Sequence, residues 1–180
     1  NYNRYSDVLT ECMPAYKTFD NKIGSIDTNG HRMTKGMGGG MNLFIKYFNS
    51  KFQGKNVRYV WDDIVKIGRN TRSNQYRDIL KEIEKSEFDV LREEIKIIQP
   101  QILIFFTGPD FYWEDIIQKR IGITANEYRA FCNWNIRQVA QIDTSKCDFP
   151  FVKYAFRTYH PCARGSKKAR YNSIIDGIDL

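Results

Sequence analysis

Five consecutive apolar residues, Ile102-Leu103-Ile104-Phe105-Phe106, lie between Pro100 and the triplet Thr107-Gly108-Pro109. A run that is apolar at every position suits a strand covered on both faces, as in a parallel sheet. The covering helix is legible just upstream. Phe88, Leu91, Ile95 and Ile98 recur at steps of three, four and three, after a Ser86/Asp89 capping-box pattern and before Pro100. This spacing predicts a helix that ends at the proline.

The rest of the chain continues the alternation. Val8, Leu9, Met13 and Tyr16 suggest a short helix within a polar, irregular opening. Gly36-Met37-Gly38-Gly39-Gly40 reads as flexible loop. Met41, Phe44, Ile45 and Phe48 then predict a helix over 41–50. Val57-Arg58-Tyr59-Val60-Trp61 reads as a strand running into Asp62-Asp63, and Ile79, Leu80 and Ile83 mark a short helix. Residues 110–120 look helical, 136–142 and 151–157 are further candidate strands, and a last helix is expected over 166–175. Helices alternating with four strands argue for an α/β domain. The expected fold is a three-layer α/β/α sandwich around a central, mostly parallel four-stranded sheet, in a single domain spanning 1–180.

Several classes are excluded. Aromatic residues make up 14% of the 180, too many for a disordered chain. No apolar run approaches the roughly 20 residues of a membrane-spanning helix, and no apolar signal segment opens the chain, so no membrane partner and a cytoplasmic location are expected. Cys12, Cys132, Cys147 and Cys162 form no CxxC pair, and only His31 and His160 could join them. Four free thiols, no metal site and no cofactor are the expectation. The Gly38-Gly39-Gly40 stretch lacks a P-loop ending, and neither GxSxG nor HExxH occurs.

In open α/β sheets ligands bind beyond the carboxyl ends of the strands. Three expected strand ends carry polar clusters: Asp62-Asp63, Thr107-Gly108-Pro109 and Arg157-Thr158-Tyr159-His160-Pro161. A carboxylate at the first could bond a ligand or activate water. The glycine of the second could let backbone approach a ligand. The third places a histidine before a glycine and a basic helix start, a natural phosphate site. The net charge of +7 concentrates there, since residues 153–172 hold six basic residues and no acidic one. Lys66, Arg69 and Arg72 follow the first strand end, and Tyr159 and Tyr171 interleave with the later basic residues. Positive charge mixed with aromatics suits phosphate contact and base stacking.

Together these strand ends resemble the uracil-DNA glycosylase superfamily, and within it the bacterial branch of uracil-DNA glycosylase-like proteins. Ile97-Ile98-Gln99-Pro100-Gln101-Ile102-Leu103-Ile104-Phe105-Phe106-Thr107-Gly108 looks like that family's helix, P-x-[IV]-[IV] strand and terminal glycine. Tyr159-His160-Pro161-Cys162-Ala163-Arg164-Gly165 looks like its HPSPLS loop. Trp61-Asp62-Asp63-Ile64-Val65-Lys66 falls where the family has a strand ending in Asn-Thr. The resemblance covers about residues 40–175.

It implies an enzyme that flips a base out of DNA and cleaves its N-glycosidic bond through a sugar cation. His160 matches the histidine that bonds a uracil carbonyl oxygen and stabilises the leaving anion. Asp62 matches an asparagine that reads the base edge, a departure that bears on which base is read, because an ionised aspartate only accepts hydrogen bonds. His160 and Asp62 are thus the expected catalytic residues, and Thr107, Gly108 and Asp63 the base-binding ones. Lys66, Arg69, Arg157, Arg164, Lys167, Lys168 and Arg170 are the expected phosphate contacts, and DNA, single-stranded DNA included, is the expected partner. The family's first motif, a GQDPY-like turn after the first strand that supplies the water-activating group, is not found in residues 1–50. It is expected upstream of Asn1. Two other readings fit the same residues: a nucleic-acid-binding module of this fold without the chemistry, and an unrelated α/β enzyme acting on a small phosphorylated substrate.

Overall fold

The computed structural model of the protein describes residues 36–60, 64 and 90–180. The helices expected near 8–16 and 79–83, the Ser86/Asp89 cap, and Trp61, Asp62, Asp63, Lys66, Arg69 and Arg72 lie outside the described residues.

Among the described residues, helix α1 (Gly36–Lys51) and the segment 52–60 come before α2 (Val90–Ile98), which stops two residues before Pro100. Strand β1 (Ile102–Phe105) comes next, then α3 (Phe111–Ile121). The Asp110 carboxylate accepts the Tyr112 N–H and so begins α3. Strands β2 (Tyr128–Ala130), β3 (Val139–Ile142) and β4 (Tyr154–Thr158) lead to α4 (Lys167–Asp176).

The four described strands form one mixed sheet in the order β1-β4-β3-β2. β1 and β4 are parallel, with Leu103 opposite Ala155 and Phe105 opposite Arg157. β3 is antiparallel to both β4 and β2, so β1, β4 and β2 run one way and β3 the other. Two expected edges move. The strand expected over 136–142 begins only at Val139, because the Ile136 and Arg137 carbonyls leave the ladder to bond the Arg157 guanidinium. The strand expected over 151–157 begins at Tyr154 and takes in Thr158.

Two expectations are corrected. Residues 57–60 join no strand among the described residues. Tyr59 turns instead to α1, where its ring meets Phe48 edge-on at 5.8 Å and its hydroxyl donates to Asn49 Oδ1 at 2.5 Å. The glycine-rich stretch is not loop but the first turns of α1. β2 has no counterpart among the expected strands, since three residues are too few for a visible alternation.

Side chains along the strands divide between two apolar clusters. Ile102, Ile104, Phe106, Val139 and Phe156 pack with Phe44 and Phe48 of α1 and with Tyr171, Ile174 and Ile175 of α4. Leu103, Phe105, Ala140, Ile142 and Ala155 pack with Ile95 of α2 and with Ile117 and Ile121 of α3. This division is the period-two alternation of a sheet buried on both sides. Lys51, the last residue of α1, donates to the carbonyls of Ile175, Asp176 and Ile178 at 2.8, 3.1 and 2.9 Å, a cation placed on the carbonyl end of α4. Among the described residues, no helix is long and apolar enough to cross a membrane.

Candidate functional site

Because β1 and β4 are parallel neighbours, their carboxyl ends fall side by side. The Gly108 N–H donates to the Thr158 carbonyl at 2.9 Å, which joins the two chain exits just beyond the strands. Gly108 takes φ +71, a left-handed conformation that glycine adopts without strain, and the Tyr159 ring lies against it. Thr107, Gly108 and His160 are thereby brought to one end of the sheet.

His160 is held by its own turn. The Ala163 N–H donates to the His160 carbonyl at 2.8 Å, and the Cys162 N–H donates to His160 Nδ1 at 3.2 Å. With Nδ1 accepting, a neutral imidazole carries its proton on Nε2 and is a donor there. The ring is solvent-exposed on one side and lines a cavity of about 940 Å³. That cavity lies between α1, residues 56–60, α2 and the outer edge of β1, which pairs with no described strand. Where it reaches the carboxyl ends of β1 and β4 it is lined by Met41, Phe44, Phe106, Thr107, Trp113 and His160. Its volume falls within the range of small-molecule sites, and an apolar wall with a few polar groups is their usual lining.

The floor of this region is aromatic. Phe44, Phe106 and Tyr171 meet edge-to-face in all three pairs, at 5.6, 5.4 and 5.9 Å, and tie α1, the end of β1 and α4 together. Burial pushes the Tyr171 hydroxyl up to about 12, so it stays protonated.

The expected phosphate contacts separate into two kinds. Arg164 and Lys168 are exposed and Lys167 is half-buried, around the amino end of α4, and they remain available to an anion. Arg157 and Arg170, expected from the sequence to contact phosphates, are buried instead, at 2% and 3% exposure. The Arg157 guanidinium donates to the Arg137 and Ile136 carbonyls at 2.9 and 2.8 Å and pairs with Glu114 at 3.0 Å. Desolvation lowers its pKa, opposed by the Glu114 charge. It is a girder between β4, the approach to β3 and α3, with no surface left for a ligand. The Arg170 guanidinium lies 5.2 Å from the Tyr159 ring centroid, beneath Gly165, and steadies the residue before His160.

Cys132, Cys147 and Cys162 are free thiols, and no group of three or more His, Cys, Asp or Glu among the described residues could hold a metal. Sequence reasoning missed Phe106, Trp113 and the Cys162 N–H. Phe106 and Trp113 read as ordinary core or helix residues, and a backbone N–H carries no sequence signal at all. No protein-family model matches the chain, and neither does any curated protein or solved structure.

Proposed function

We propose that the protein is a DNA glycosylase-like hydrolase that cleaves the N-glycosidic bond of a flipped-out, uracil-like base. The observation that carries this reading is the His160 ring. Its Nδ1 is occupied by the Cys162 N–H, so the neutral imidazole offers Nε2–H as a donor on the wall of a largely apolar cavity. Such a donor bonds a carbonyl oxygen of the base as negative charge develops there and so stabilises the departing anion. The C1′–N bond breaks, the base leaves as the anion, and water adds to C1′ of the sugar cation while the proton it releases neutralises the base. Asp62 and Asp63 are assigned to the base in this reading on sequence order alone. Arg164, Lys167 and Lys168 hold phosphates of the same strand. The fold that accompanies the reading is the three-layer α/β/α sandwich, and the two clusters on opposite sides of the sheet support it.

The test offers the purified chain uracil-containing and mismatched oligonucleotides, single- and double-stranded, and looks for alkali-labile abasic sites. Cleavage of one base class, lowered about 10²–10³-fold by His160→Ala with the fold intact, is expected. A folded protein that cleaves no base in any context refutes the hydrolase reading. Salt-dependent binding without cleavage would then favour a module that binds nucleic acid and does no chemistry.

A further inference from the structure

The glycine-rich start of α1 has a use that its composition hides. A Cβ built on Gly40 would stand 2.6 Å from Pro161 Cβ, 2.6 Å from the Pro161 carbonyl oxygen and 3.0 Å from the Pro161 carbonyl carbon. Two of these three atoms are backbone, so no side-chain rotation relieves the clash. Pro161 is itself fully buried, and its two neighbours are His160 and Cys162, the two ends of the hydrogen bond that fixes the imidazole. Restoring an ordinary contact, above 3.4 Å, would require the turn to retreat by about 0.8 Å. The Cys162 N–H to Nδ1 bond is already 3.2 Å long, at the outer end of the usual range, so it has little slack for a displacement of that size centred on the residue between its two ends. On its other side α1 cannot yield, because Met41, Phe44 and Phe48 on the following turns are buried in the core.

We propose that Gly40 is a positioning residue for His160. The bare backbone of α1 seats the Pro161 turn, and that seat sets which ring nitrogen of His160 carries the proton and where the ring stands on the cavity wall. The activity arm of the test rests on the function proposed above, and the spectroscopic arm does not.

The chain contains only two histidines, so a His31→Gln background leaves the His160 ring nitrogens as the sole imidazole signals. In the parent, long-range ¹H–¹⁵N spectra are expected to show Nδ1 as an unprotonated acceptor and Nε2 as protonated, with the Cys162 amide slow to exchange. Gly40→Ala is expected to mix the two tautomers and to speed Cys162 exchange at least about 10-fold. Lys46→Ala, at an exposed position of the same helix, is expected to change neither. Where the parent cleaves an oligonucleotide, Gly40→Ala is expected to lower kcat by up to about 10²-fold with KM nearly unchanged, the effect of a misplacement near 1 Å. A folded Gly40→Ala protein with the parental ring signals and Cys162 exchange overturns the proposal. If Gly40→Ala alone does not fold, Gly40→Ala/Pro161→Gly, in which the turn can yield, is compared with Pro161→Gly. Different His160 signals in those two support the proposal, and identical signals overturn it. Absence of cleavage by the parent would count against the glycosylase reading and leave the spectroscopic result standing.

Discussion

Replacing Arg157 by methionine keeps the inner, apolar part of the buried side chain and removes the guanidinium with its charge and donors. The loss can be worked from its partners. Two carbonyls, of Ile136 and Arg137, lose charged donors at 2.8 and 2.9 Å, and the Glu114 carboxylate, whose side chain is 19% exposed, loses its cation at 3.0 Å. Hydrogen bonds to charged groups contribute about 1.5–3 kcal/mol each. Removing one member of a buried pair costs about 3–5 kcal/mol, because the other is left uncompensated. Methionine recovers part of the packing, so the expected loss is about 3 kcal/mol. In a domain of this size that corresponds to a fall in Tm of about 6–12 °C. Denaturant titration of Arg157→Met, Glu114→Gln and the double variant gives the coupling, expected to be at least about 1 kcal/mol. The same protein should bind oligonucleotides with an unchanged salt slope, since the buried guanidinium meets no phosphate. A loss below about 1 kcal/mol together with a shallower salt slope would refute this account and return Arg157 to the nucleic-acid surface.

The remaining expectations concern the surface, a helix end and acid. Arg164→Ala should weaken oligonucleotide binding and reduce the slope of log K against log salt by about 0.7–0.9, one phosphate contact, and a slope identical to that of the parent places Arg164 off the nucleic-acid path. Lys51→Met removes the cation from the carbonyl end of α4 and should cost about 1–2 kcal/mol in denaturant titration, with a neutral result showing that water replaces it without loss. Glu127 is held at about 2, below its usual 4.5, by hydrogen bonds from the Thr124 hydroxyl, Lys146 and the Thr124 N–H. A depressed carboxylate contributes stability that is present above pH 4.5 and is lost as pH falls toward 2, so Glu127→Gln should flatten the pH dependence of Tm within that window. An acid profile unchanged by Glu127→Gln would show that other groups carry it.

Much of the local structure is written in the chain. The apolar run closed by Gly108 became β1, the Leu91, Ile95 and Ile98 spacing became α2 with its stop before Pro100, and Asp110 caps the start of α3. These are decisions made by residues within one or two turns of each other, through side-chain period, caps and fixed φ, and they are legible because their causes are local. The placement of Thr107, Gly108 and His160 at strand ends was legible for the same reason.

Tertiary contacts decided the rest. The direction of β3 depends on how the chain crosses after α3, which no local pattern encodes. Residues 57–60 have the composition of a strand, yet Tyr59 found its partners on α1 rather than in a ladder. The basic segment 153–172 reads as one patch, but a strand and a helix send alternate residues inward. Arg157 went to the partly exposed Glu114 carboxylate and Arg170 under Tyr159, leaving Arg164, Lys167 and Lys168 outside. Gly40 carries the same lesson in reverse. Composition assigns a run of glycines to a loop because their backbone freedom is an intrinsic property, whereas here they open a helix, and Gly40 lies where a Cβ would meet Pro161, more than 100 residues away in the chain. The sequence by itself determined which segments could be helix or strand and where polar chemistry could gather. Only the packed structure decided which charges are buried and which stay at the surface, because burial depends on atoms distant in sequence.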